Sequence, residues 1–381
     1  MLDRIRLENF KASRDVDVRL APLTLLAGLN GSGKSTLLQA IAAIRQSYPG
    51  DASSPGLNLA GDLVHLGHSD DVLSETADSD ALTIIVVEDG LPFSWTCRCP
   101  PSSGLNQLDY ESQPERPPKF ARTRDFQFLH ADRIVPETLY PQAPRRAQES
   151  GFLGIRGEYT ADFLSLNGET IDVSETRRID ILGTSIPAEI VSKVASTSKL
   201  LDQVAGWMQH LSPGVRLKVK RIERTDEVQL NFYYTGLKRE SNSNEYRPTN
   251  VGFGLTYTLP IVTACLAARP GALLLLENPE AHLHPQGQVA LGELVARCAS
   301  DGVQIIVESH SDHFLNGIRL AVKTSSQKLK GEDVALHLFT RDQSSGEIWV
   351  QTPALLDNGR LSNWPDGFFT QWGKSIDALL G

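Results

Sequence analysis

Gly28-Leu29-Asn30-Gly31-Ser32-Gly33-Lys34-Ser35-Thr36 fits the pattern G-x-x-x-x-G-K-S, and its reading decides the fold. The apolar run Leu23–Ala27 before it has the length of a strand, and Thr36–Ile44 after it has the composition of a buried helix. A strand, a glycine-rich turn and a helix form the setting in which this pattern cradles phosphate. Main-chain N–H groups of the turn and of the helix N-terminus then converge on a triphosphate. Gly28, Gly31 and Gly33 allow positive φ and close approach of phosphate oxygens, and Asn30, Ser32 and Thr36 are counted with them as nucleotide-binding. Lys34 is expected to reach the β- and γ-phosphates and the Ser35 hydroxyl to sit on Mg²⁺, so the expected cofactors are ATP and Mg²⁺.

Composition frames this site. At 381 residues, with 40% hydrophobic residues and a mean hydropathy of -0.21, the chain has ample material for a globular core. No apolar stretch approaches the ~18 residues of a membrane span, and the start lacks a secretory apolar region, so a cytoplasmic protein is expected. Four cysteines in this length make no disulfide framework. Cys97-Arg-Cys99 stands alone, without a second pair to complete a zinc site. The net charge is -9, yet residues 116–146 hold seven Lys/Arg against three Asp/Glu. From Arg216 to Arg224 basic and apolar residues alternate at strand spacing. That ladder reads as the solvated face of an edge strand or as a track for a phosphate backbone.

Elsewhere the chain reads as strands at Leu2–Phe10, Val16–Leu20, Ala81–Val87, Phe93–Cys97 and Phe126–Ala131, with 98–118 a mobile loop rich in Pro, Ser and Gln. Residues 141–250 break the α/β pattern, with helices near Tyr159–Ser165 and within Ala188–Leu211 and a β-pair at Val215–Ile222 and Val228–Tyr234. After Asn250, helices at 255–268, 285–299 and 311–323 alternate with strands at 272–277 and 303–308. Strands Val334–Thr340 and Glu347–Gln351 and a helix around Phe368–Leu380 follow. Alternation of this kind implies parallel βαβ units.

Two apolar strands end in polar residues. Leu273–Leu276 leads into Glu277, and Gln304–Val307 leads into Glu308, Ser309 and His310. Buried parallel strands deliver ligands at their carboxyl ends, which places Glu277 to hold Mg²⁺ directly or through water. His282, His284, His310 and His313 are spaced H-x-H and H-x-x-H, a weak zinc signal with no cysteine to join it.

These stretches resemble the ABC-type ATPase heads of the SMC, RecF and OLD families. Ile5–Lys11 is similar to their opening strand, Glu277–Pro285 to the extended Walker B and D-loop, and Glu308–His313 to the switch segment with His310 as the switch. Pro248–Leu255, with Gly252 and Gly254, precedes Glu277 at about the distance of the ABC signature, and Trp364–Trp372 resembles an uncharacterised tail of one bacterial subgroup. The resemblance implies an α/β P-loop NTPase of ABC-head type: a mixed central sheet, an antiparallel β subdomain and a helical/β insertion. The core would be discontinuous, 1–140 and 251–381, around an α+β lobe at 141–250 leading into the signature-like segment. It also implies a head-to-tail, ATP-dependent homodimer in which Gly252 and Gly254 of one subunit face the γ-phosphate held by the other.

Two departures qualify this. ABC heads carry Asp-Glu where this chain has Glu277 and Asn278, and a carboxamide takes no proton. Glu280 or Glu308 is then the candidate base, with His310 beside it, or turnover is slow. The 68 residues after His313 carry no clustered Asp-x-Asp, so no Toprim nuclease is expected in them. Coiled coils are absent too. The reading is a nucleotide-driven dimeric ATPase, the ATPase subunit of a bacterial anti-phage or anti-plasmid defence module, with a separately encoded effector such as a nuclease and no membrane. The alternatives are a RecF-like repair factor that clamps DNA, and an ATP- or GTP-bound switch of negligible turnover.

Overall fold

The structure is a computed structural model and describes residues 1–48, 55–100, 104–179, 194–234, 244–324, 329–342, 344–365 and 378–379. It divides into two compact units, Met1–Thr123 with Gln304–His310 and Lys330–Gly381, and Arg124–Val303 with Ser311–Leu329.

The first unit holds the phosphate-loop sequence. Strand β3 (Leu23–Gly28) is buried along nearly its whole length, as a strand covered on both faces must be. It lies between β13 (Gln304–Glu308) and β14 (Val334–Arg341), parallel to both, and β14 pairs antiparallel with β15 (Ile348–Gln351). Helix α1 (Lys34–Gln46) follows β3 directly and buries Leu37, Leu38, Ile41 and Ile44. A second sheet of the same unit is antiparallel, ordered β2-β1-β5-β6-β7-β4, where β1 is Leu2–Phe10, β2 Ser13–Arg19, β4 Gly56–Asn58, β5 Ala81–Glu88, β6 Leu91–Arg98 and β7 Gln107–Ser112. Strand β5 alternates half-buried and buried residues over all eight positions, the period of a sheet with one packed face. The existence of β7 corrects the expectation of a loop across 98–118. Leu108 is fully buried, and that anchor lets the segment pair with β6 and β4 despite its turn-forming composition.

The second unit contains the parallel pair β8 (Phe126–Leu129) and β12 (Leu273–Glu277). An antiparallel sheet joins β9 (Tyr140–Pro141), β11 (Glu227–Tyr234) and β10 (Val215–Arg221). Its helices include α2 (Thr160–Asn167), α3 (Leu200–Met208), α4 (Phe253–Ala267), α5 (Pro285–Ser300) and α6 (Asp312–Thr324). Helix α4 is buried on nearly all sides, and its sequence is apolar around the helix apart from Thr256, Thr258 and Thr263, which are buried with it, and Tyr257. Helices α5 and α6 meet at Gly292 and Gly317: a β-carbon there would lie 2.2 Å from the Phe314 carbonyl and 2.1 Å from that of Val289. Within the expected span Ala188–Leu211 a helix runs over Leu200–Met208, residues 188–193 lie outside the described residues, and the helix expected at Phe368–Leu380 falls almost wholly outside them too.

Candidate functional site

In the first unit the turn 28–33 adopts the backbone its glycines permit. Gly28, Gly31 and Gly33 have φ of 141°, 76° and 92°. At Gly28 a β-carbon would fall 2.3 Å from the Phe339 carbonyl oxygen, so this residue is fixed by sterics as well as by conformation. Asn30 and Gly31 are exposed on the turn, whereas Ser32 and Thr36 are buried beneath it. Gly33 caps α1, which leaves the first N–H groups of the helix at the turn.

Lys34 and Ser35 open that helix and meet one carboxylate. The Ser35 hydroxyl donates to Glu308 Oε2 at 2.6 Å. Lys34 Nζ donates to the Leu29 carbonyl at 2.8 Å and lies 3.5 Å from Glu308 Oε1. Burial pushes the Lys34 ammonium below its ordinary pKa, and the Glu308 charge opposes that shift. The strand register explains how Glu308 arrives: it stands opposite Leu26, and the N–H of Ser309 donates to the Leu26 carbonyl at 3.0 Å. His310 Nε2 follows at 3.8 Å from Glu308 Oε1. Four residues singled out from sequence, Lys34, Ser35, Glu308 and His310, are therefore brought together.

The second unit gathers Glu277, Asn278, Glu280, Gly252 and Gly254. Glu277 ends β12 and its Oε2 accepts the N–H of Ala131 at 3.1 Å. Asn278 takes φ of 43°, in the left-handed region that asparagine tolerates better than most residues, and so turns the chain sharply out of the strand. Its Oδ1 is buried without a hydrogen-bond partner among the described residues. Glu280 follows two residues on and is buried.

That turn is held by a residue the sequence reading passed over. Arg133 is 0% exposed and donates to the carbonyls of His130 at 2.8 Å, Glu277 at 2.7 Å and Asn278 at 2.6 Å. Its guanidinium lies 5.5 Å from the Tyr257 ring centroid. Burial lowers its pKa to about 10, with Glu280, Tyr257 and Glu277 opposing, so it stays charged at neutral pH. A single arginine beyond a strand end carries no periodic signature, so the sequence offered no signal for it.

Around Gly252, which caps α4, the side chains are aromatic. Tyr257 and His282 meet edge to face with ring centroids 4.7 Å apart, and Phe253 lies 6.3 Å from each while remaining 55% exposed. A β-carbon on Gly252 meets nothing within 4 Å, whereas one on Gly254 would stand 2.9 Å from the His282 carbonyl. His284 Nδ1 accepts the Gln286 N–H at the start of α5, and His313 lies 3.8 Å from Asp312. Among the described residues no group of three or more His, Cys, Asp or Glu is arranged to hold a metal. The four cysteines are free and buried. On β10, Arg216 pairs with Asp202 at 3.3 Å and Lys218 pairs with Glu245, so two rungs of the basic ladder are already neutralised. Among the described residues no helix is long and apolar enough to cross a membrane.

Comparison with known proteins adds the following. Residues 1–91 match the family "AAA ATPase domain", residues 103–316, more than half of the chain, match "AAA domain, putative AbiEii toxin, Type IV TA system", and residues 329–379 match a family described as a protein of unknown function. A stretch of 41 residues is 49% identical to the OLD nuclease of Thermus scotoductus; it covers 11% of this chain and 8% of that protein. Solved structures similar to the chain include the SMC head domain from Thermotoga maritima, 13% identical with a TM-score of 0.43 over 92% of this chain and 98% of that one. A second is the SMC head domain with an extended coiled coil bound to the C-terminal domain of ScpA, derived from Pyrococcus furiosus, 13% identical with a TM-score of 0.49 over 100% and 99%. With a family match across more than half its length and the phosphate-loop motif in place, the chain belongs to the family "AAA domain, putative AbiEii toxin, Type IV TA system" and is an ATPase of the AAA type.

Proposed function

We propose that the chain binds ATP with Mg²⁺ at the 28–36 loop, hydrolyses it slowly, and cycles between monomer and head-to-tail homodimer as it does so. The observation that carries this reading is the meeting of Lys34, Ser35 and Glu308 under a glycine turn with positive φ. A buried ammonium, a hydroxyl and open main-chain donors at a helix start fit a phosphate–metal group. Lys34, Ser35, Gly28, Asn30, Gly31, Ser32, Gly33 and Thr36 would take the nucleotide, with Ser35 holding Mg²⁺ and His310 near the γ-phosphate; Glu277 is proposed as a Mg²⁺ ligand from its place at the end of an apolar strand. When bound, Mg²⁺ neutralises charge on the β- and γ-oxygens. Asn278 shapes a turn and supplies no base, which leaves Glu280 to take the proton of the attacking water. Gly252 and Gly254 of a second copy supply N–H donors to the far side of the γ-phosphate, so the nucleotide favours the closed dimer. Residues 1–140 and 251–381 act as the ATPase core around a lobe at 141–250.

A cytoplasmic place in defence against phage or plasmids, through a separately encoded effector, rests on the family description and on the short similarity to the OLD nuclease. The DNA-clamp alternative draws little support from β10, whose Arg216 and Lys218 are engaged by acids of the chain itself.

Glu280→Gln tests the reading. With ATP and Mg²⁺ the variant should bind nucleotide, accumulate as a dimer in light scattering, and lose turnover on the order of a hundredfold or more. A variant that stays monomeric and hydrolyses like its parent contradicts both the dimer and the base.

A further inference from the structure

We infer that Glu308 is the outer carboxylate of the Mg²⁺ site: it takes the proton of the Ser35 hydroxyl in a hydrogen bond and thereby aims that oxygen at the metal. It is a positioning residue, not the base. The inference rests on the ATP–Mg²⁺ reading above and assigns within it a role that the sequence left open between Glu280 and Glu308.

A serine hydroxyl has one proton and two lone pairs. In this structure the proton goes to Glu308 Oε2 at 2.6 Å, which leaves the lone pairs for a cation. A ligand whose hydrogen is held by a carboxylate is both oriented and made more basic, the usual service of outer-shell partners at metal sites. Glu308 is suited to this by rigidity. The residue is 5% exposed, and the main chain around it is fixed to β3 by the Leu26 register and the Ser309 N–H bond. It is less suited to be a base. One oxygen is engaged by Ser35 and the other faces Lys34 at 3.5 Å and His310 at 3.8 Å, so both are already committed to partners within the site. A carboxylate buried at the tip of an apolar strand needs such compensation, and two site residues provide it.

The experiment titrates Mg²⁺ against binding of a fluorescent ATP analogue, a readout independent of turnover. Glu308→Ala should raise the Mg²⁺ midpoint by roughly 10- to 100-fold, while affinity for the metal-free analogue stays equal or tightens as a negative charge leaves the phosphates. Glu308→Gln, which preserves shape, should show a smaller rise and carries the test if the alanine variant misfolds. Ser35→Ala should raise the midpoint by itself, and adding Glu308→Ala to it should change nothing further, because the two act as one unit. An unchanged midpoint in both Glu308 variants overturns the inference, and loss of turnover alone in them would make Glu308 the base. Independent, multiplying effects of Ser35→Ala and Glu308→Ala overturn it as well. A parent protein that binds no analogue at any Mg²⁺ concentration removes the ATP reading itself, and the inference with it.

Discussion

In the phosphate-loop unit, Lys34 and Ser35 meet Glu308 side chain to side chain, whereas in the unit that carries Glu277 the buried Arg133 gives its guanidinium to three main-chain carbonyls. The two arrangements answer differently to a ligand. One flexible side chain can exchange its partners: an ammonium that leaves the Leu29 carbonyl and Glu308 can turn to phosphate, since these contacts are charge-assisted and local. Three main-chain carbonyls gathered by one buried guanidinium fix the path of the chain, and that guanidinium does not leave them without refolding the turn. The first unit is therefore built to receive, the second to hold a shape. Gly252 and Phe253 are among the exposed residues of the second unit.

The sharpest way to break this comparison is Lys34→Ala. Exchange at the loop depends on its cation, so nucleotide binding should fall by about two orders of magnitude or more. The fold should persist with lowered stability, because the alanine keeps the helix and Ser35 still donates to Glu308, while the buried carboxylate loses its ammonium partner. Calorimetry for binding and circular dichroism for fold decide it. Parent-like ATP binding in the variant would mean that the loop is not the nucleotide site.

Gly252→Arg probes the outward face of the second unit. Nothing lies within 4 Å of a β-carbon at 252, so the variant should fold normally and bind ATP at the Lys34 loop. Dimerisation and turnover should be lost together, by roughly tenfold or more, if that face docks on a second copy. Gly254 is the wrong position for this test, since any side chain there meets the His282 carbonyl within its own unit. An unchanged dimer and normal hydrolysis in Gly252→Arg would reduce the Gly252–Gly254 segment to a helix cap.

Much of this was legible in the sequence where one physical rule acts locally. The glycine pattern and the apolar runs around it placed β3, the turn and α1, and apolar strands ending in acids placed β12 and β13 with Glu277 and Glu308 at their tips. What stayed hidden depended on contacts distant along the chain. Strand β7 owes its existence to pairing with β6 and β4, which its polar composition does not announce. The joining of Ser35 to Glu308 spans 273 positions and follows from the β13–β3 register, which no spacing encodes. Asn278 read from sequence as a missing base, and its positive φ adds a conformational role that the residue type alone does not show. Arg133 is the extreme case, because its partners are main-chain atoms and leave no trace in side-chain pattern.

Arg133→Met sharpens the comparison from the other side. The substitution keeps much of the volume but removes the donors to the half-buried carbonyls of His130, Glu277 and Asn278. Each such loss is worth on the order of 1 kcal/mol, and charge-assisted donors somewhat more, so about 3 kcal/mol of stability should disappear. Arg133→Lys should recover less than half of it, since one ammonium cannot reproduce a planar fork aimed at separate carbonyls. Urea unfolding gives the number, with an unchanged slope expected if the denatured state is unaffected. The same variant separates shape from exchange in function. ATP–Mg²⁺ binding at the Lys34 loop should survive under conditions where the protein remains folded, while turnover falls as the Asn278 turn and Glu280 lose their fixed geometry. Equal loss of binding and turnover, with stability intact, would mean that Arg133 touches the nucleotide itself and that the second unit also works by exchange.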